Sequence, residues 1–150
     1  WRQPEVANDI VQLVSHHGVQ FIRNDVRVVE GLNIIGVDDW WAGQTDVTRA
    51  RSQAKADAPQ LVLCHNPDVA DHPVWAGYRG WMLSGHTHGG QCRVPFMTPP
   101  VLPVRNKHYA AGAVPLGDGR TVYINRGVGH TLPVRFNVRP EITSYQLVRG

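Results

Sequence analysis

Long apolar runs are missing from this sequence. No stretch approaches the roughly 18 residues that a membrane-spanning helix needs, so no span is expected. Cysteine is scarce: Cys64 and Cys92 are the only two in 150 residues. That excludes a disulfide scaffold, and their spacing forms no Cys-x-x-Cys knuckle. Aromatic residues do not alternate with basic ones as they do along a single-stranded nucleic-acid track, so no nucleic-acid partner is indicated. No internal repeat and no low-complexity tract occurs. No signal peptide is visible in a chain that opens on Trp1.

What remains is a chain of one-domain length with 42% hydrophobic residues, enough to bury a core. Its charge is uneven. Residues 101–150 carry seven Lys and Arg against Asp118 and Glu141, whereas residues 1–100 carry a small acidic excess. The basic third suits an anionic ligand, or is simply a solvated face. Histidine is abundant, at positions 16, 17, 65, 72, 86, 88, 108 and 130.

Periodicity predicts a helix over residues 4–17, with Pro4 in its first turn and Val6, Ile10, Leu13 and Val14 on one face. Two short strands, 19–24 and 26–31, are expected around a turn at Asn24-Asp25. A second helix over 46–56 has Asp46 as its N-cap. Residues 32–37, 60–65 and 80–85 are continuous apolar runs, the pattern of strands covered on both faces by other layers. A short broken helix follows Pro67. Residues 94–106 hold four prolines and read as an extended loop. A hairpin turns at Gly117-Asp118-Gly119, and residues 141–150 read as a last strand. This order makes an α/β layered domain, with 32–37, 60–64 and 80–84 as neighbours in one sheet.

His65 ends one apolar run, and His86 and His88 follow another. In open α/β sheets, sites form beyond the carboxyl ends of the strands, so the three imidazoles can meet at one rim. Imidazole nitrogens approach a metal such as zinc to ~2.0–2.1 Å. Gly85, Gly89 and Gly90 would keep that approach clear, and an extended His-x-His can turn both rings to one side. Other His-x-His folds fit worse. A cupin wants a nearby carboxylate, a metallo-β-lactamase wants Asp where Gly90 stands, and no His-Glu-x-x-His is present.

The fuller pattern resembles the calcineurin-like metallophosphoesterases, in their bacterial membrane-associated or secreted branch. It is carried by "GVDDWW" (36–41), "LCHNPD" (63–68), "LSGHTHGGQ" (83–91) and "YINRGVGHTLPVRFNVRPEI" (123–142). The resemblance implies an α/β/β/α sandwich and a two-metal hydrolase of phosphate esters. Zn, Mn or Fe would serve as divalent ions, and the setting would be the bacterial membrane periphery or outside the cell. By that resemblance His65 and His86 bind one metal and His88 the other. The family's earlier motifs, Asp-x-His, Gly-Asp and Gly-Asn-His, do not stand ahead of His65. Residues 1–150 therefore read as the C-terminal half of such a domain.

Two classes of function follow. One is a phosphodiesterase or phosphatase that is a piece of a full catalytic domain. The other is a remnant with one metal or none, paired with the missing half or with a second copy, whose activity would be weak hydrolysis of simple esters. Arg126 and His130, in a glycine-rich segment, are candidates for substrate phosphate. Asn66, Asp68 and Asp39 either support the ligand imidazoles or cap turns. Trp40 and Trp41 either floor an apolar pocket or fill core. Cys64 and Cys92 read as core filler.

Overall fold

The computed structural model describes residues 4–97 and 99–148. Its elements in chain order are α1 (Pro4–His16), β1 (Asp25–Val29), β2 (Leu32–Val37), α2 (Val47–Ser52), β3 (Gln60–Cys64), β4 (Gly80–Ser84), β5 (Gly112–Pro115) and β6 (Arg120–Ile124). Single 3₁₀ turns occupy Pro67–Asp71, Pro73–Trp75 and His88–Gly90. The strands form one sheet in the order β1-β2-β3-β4-β6-β5. β2, β3, β4 and β6 run parallel, and an antiparallel strand closes each edge. The fold is α/β, as the alternation of apolar runs and helical segments predicts. Among the described residues no helix is long and apolar enough to cross a membrane.

The three apolar runs become β2, β3 and β4, side by side. Ile35, Val62, Met82 and Val122 pair in register across the sheet, and each is at most 1% exposed. This row faces the core with Trp75 and Tyr109. The Trp75 indole N–H donates to the Val69 carbonyl at 2.9 Å, which satisfies the one polar atom of that buried ring. The opposite face behaves differently. Leu63 and Trp81 on it are exposed, and Leu61 and Leu83 are half-buried.

Four expectations require correction. Residues 19–24 are not a strand. Asn24 adopts positive φ, and its side chain binds Asp38 N–H, Asp46 N–H and the Gln44 carbonyl, so it serves the 38–46 loop instead of a ladder. The first hairpin turns at Glu30-Gly31, both at positive φ, as a two-residue turn between antiparallel strands demands. α2 is capped by Asp46 as expected, through Arg49 N–H at 2.9 Å, but it ends at Ser52. Residues 141–148 form no strand: β6 already pairs on both sides, and Glu141 and Thr143 bind the side chains of Tyr123, Asn125 and Arg126 instead of a ladder. α1 forms where expected, yet Val6, Ile10 and Leu13 are exposed.

The remaining loop and hairpin follow the sequence pattern. Residues 94–106 hold no helix or strand where described. The β5–β6 hairpin turns at Gly117-Asp118-Gly119, closed by Leu116 N–H to the Arg120 carbonyl at 3.0 Å.

Candidate metal centre

β3 delivers His65 one residue past its last position, and β4 delivers His86 two residues past its own. A backbone bond locks the two strand ends together: Gly85 N–H donates to the His65 carbonyl at 3.0 Å, while Asn125 N–H, just past β6, donates to that of Ser84 at 2.8 Å. The His65 and His86 rings therefore meet edge to face, 5.0 Å between centroids. Burial lowers the pKa of His65, and the neighbouring His86 and His88 push it further down against the pull of Asp39. Burial also lowers that of His86, opposed by the Pro103 carbonyl and by Asp39 and Asp68. Both rings thus favour the neutral form, the one with a lone pair to give.

The His-x-His backbone is not extended. His86 and His88 have φ of 70° and 51°, and the chain coils into the 3₁₀ turn at His88–Gly90. The physical reason is the middle residue. Thr87 is buried, donates its hydroxyl to the Ala110 carbonyl at 2.7 Å, and accepts Gly89 N–H at 3.1 Å. The glycines after it answer to packing more than to metal access. A Cβ on Gly89 would stand 2.7 Å from Val138 Cγ1, and one on Gly90 would stand 2.2 Å from Pro99 Cβ, both at positive φ. His86 turns toward His65 and Trp41, whose ring centroid lies 4.4 Å away. His88 turns toward Gly129 and Arg135.

Asp39 Oδ1 accepts the backbone N–H of Trp41 at 2.7 Å and of Ala42 at 2.8 Å, so its bonds shape the 38–46 loop. Asn66 caps the turn after β3 through Asp68 N–H at 2.9 Å. Asp68 holds the long loop by accepting Arg105 N–H at 2.8 Å and Asn106 N–H at 3.1 Å. The bonds these three side chains make go to backbone, not to an imidazole. Arg126 gives its Nε to Glu141 at 2.6 Å, and His130 is exposed.

Arg135 escaped the sequence reading. Its Nη2 donates to the carbonyls of Arg126 (2.9 Å), Gly127 (3.0 Å) and Gly129 (2.6 Å), and lies 3.5 Å from His88 Nδ1. Gln91 puts it there: the Gln91 amide binds the Leu132 and Val134 carbonyls and Thr131 N–H, clamping the segment that leads into Arg135.

The chain is 41% identical over 147 residues to phosphodiesterase YaeI of Escherichia coli, covering 93% of this chain and 51% of that protein. Its curated relatives are named as phosphodiesterases and metallophosphoesterases, in line with the resemblance carried by its motifs. A metallophosphoesterase of Bacillus subtilis, YkuE, of uncharacterised role, is 38% identical over 121 residues (77% of this chain, 40% of that protein). The UDP-2,3-diacylglucosamine pyrophosphatase LpxG of Chlamydia trachomatis is 30% identical over 149 residues (93% and 45%). The chain thus spans about half the length of the curated relatives it matches. No family model matches it, and no solved structure does.

The residues at these strand ends have the chemistry of metal donors. Among the described residues the buried His86 Nε2 has no hydrogen-bond partner, an arrangement that carries a desolvation cost. Two adjacent neutral imidazoles, one with a bare nitrogen, fit a divalent transition ion. Among the described residues no three His, Cys, Asp or Glu side chains converge to hold an ion. The described residues thus bring together two imidazoles, while His88 turns to the Arg135 side. A groove of about 450 Å³ beside His65 runs along the open sheet face, past Leu63, Leu83 and Tyr145; it touches neither His86 nor His88.

Proposed function

We propose that this chain carries part of the centre of a metal-dependent hydrolase of phosphate esters, of the phosphodiesterase type named for the E. coli relative. The observation that carries the reading is the buried, unpartnered Nε2 of His86 beside the His65 ring. His65 and His86 would hold one divalent ion of the Zn, Mn or Fe class, and His88 would serve a second. A divalent ion in such a site polarises a phosphoryl oxygen and acidifies water. The chain's own residues prepare the place. The bond between Gly85 and the His65 carbonyl fixes the spacing of the two rings. Thr87 fixes the turn that separates His86 from His88. Arg135 supplies fixed positive charge beside His88, on the side where phosphoryl charge would develop.

The test is hydrolysis of a chromogenic phosphodiester with added Mn(II) or Zn(II), alongside elemental analysis of the protein. Bound metal near one equivalent per chain, with occupancy and turnover lost in His86→Ala and turnover lost in His88→Ala, supports the reading. Metal well under one equivalent after growth and assay in added Mn and Zn refutes it.

A further inference from the structure

The two tryptophans that follow Asp39 have opposite fates. Trp40 is half-buried and packs against the core. Trp41 is 62% exposed, yet its ring stands edge to face with His86 at 4.4 Å and 83°. A lone exposed tryptophan is ordinary on a protein surface. This one is held by an unusual amount of scaffold. Asp39 Oδ1 accepts the N–H of Trp41 itself at 2.7 Å, and Asp39 N–H donates to Asp38 Oδ1 at 2.8 Å. Asp38 is paired with Arg23 at 2.8 Å, and its carbonyl accepts the Thr45 hydroxyl at 3.0 Å. Asn24 ties both ends of the same loop, through Asp38 N–H and Asp46 N–H. The loop is thus built to hold one large apolar ring beside the imidazole that has a bare nitrogen.

We infer that Trp41 is a substrate-contacting residue that selects phosphate esters with a planar, unsaturated leaving group, such as an aryl or nucleobase-bearing alcohol. The inference rests on the phosphoester reading of the His65–His86 centre and adds the substrate class. A phosphoryl group at His86 places its leaving group within reach of the exposed indole, which offers the large rigid surface that aromatic groups stack on. A small alkyl leaving group gains nothing from it.

The experiment compares two non-hydrolysable probes, phenylphosphonate and methylphosphonate, by titration calorimetry on the Mn(II)-supplemented chain. The unmodified protein is expected to bind phenylphosphonate roughly three- to tenfold more tightly, the range an aromatic pair contributes. Trp41→Phe should keep most of this preference, and Trp41→Ala should bring the ratio to about one. A ratio near one in the unmodified protein, or an unchanged ratio in Trp41→Ala, overturns the role of Trp41 while leaving the phosphoester centre standing. Binding of neither phosphonate overturns the phosphoester reading, and this inference with it.

Discussion

Arg135 Nη2 lies 3.5 Å from His88 Nδ1, across 47 residues of chain. The same nitrogen gathers three carbonyls of the 126–129 turn, while Nη1 is buried with no partner among the described residues. The guanidinium therefore joins two loops at one point, with a donor to spare. A lysine ammonium has three donors but no planar fork to span these acceptors. Arg135→Lys and Arg135→Gln should each lose about 1.5–3 kcal/mol of stability, the scale of hydrogen bonds from a charged donor. Urea titration checks this. A midpoint unchanged in both variants would show that the three carbonyls are satisfied without the guanidinium.

The two thiols should differ sharply in reactivity. Burial pushes the Cys64 thiol up to about 12, against a smaller opposing effect of the Asn66 backbone. Only the thiolate reacts, and almost none forms at pH 8. Cys92 is partly exposed. A disulfide reagent at pH 8 should modify about one thiol quickly in the native protein and both after denaturation. Mass mapping that finds Cys64 labelled at the same rate as Cys92 would show that β3 opens readily.

The contrast between legible and illegible parts has physical causes. β2, β3 and β4 could be read because their residues are buried by neighbours whatever the details, so a continuous apolar run survives as the signal. Residues 19–24 and 141–148 look equally strand-like. Their outcome depended on whether a sheet edge was free and on what Asn24 and Glu141 bind elsewhere, which local pattern does not encode. The meeting of His65 and His86 followed from strand ends sharing a rim. The coiled path between His86 and His88 depended on a hydroxyl bond from Thr87 to a loop 23 residues away. Arg135 gave no signal, since its partners are backbone carbonyls. Trp40 and Trp41 are adjacent and identical in type, and only the scaffold from Asp38 and Asp39 separates their roles.

The open face of the sheet carries Leu63 and Trp81 exposed beside half-buried Leu61 and Leu83. Apolar strand surface of this kind seeks a cover. The isolated chain is expected to self-associate at micromolar concentration, and Leu63→Glu with Trp81→Glu should return it to monomer. Light scattering on the unmodified and doubly substituted chains decides the matter, and a clean monomer with a cooperative melt before any substitution would refute the expectation.

Glu141 provides the pH prediction. Its carboxylate accepts the Tyr123 hydroxyl, Arg126 Nε at 2.6 Å and the Thr143 hydroxyl at 2.8 Å. Burial alone would raise its pKa. The hydrogen bonds from Tyr123, Arg126 and Thr143 outweigh that and bring it from its ordinary 4.5 to about 2. The folded state thus prefers the ionised carboxylate more than the unfolded state does. The stability this supplies is complete above the unfolded value, and it is lost as pH falls from about 4.5 to about 2. Glu141→Gln should cost about 1–3 kcal/mol near neutral pH, because a charge-assisted set of bonds becomes neutral. The gap in melting temperature between the unmodified chain and the variant should then narrow steadily below pH 4.5. A gap of constant size down to pH 2.5 would mean that Glu141 holds the C-terminal segment onto β6 by shape and not by charge.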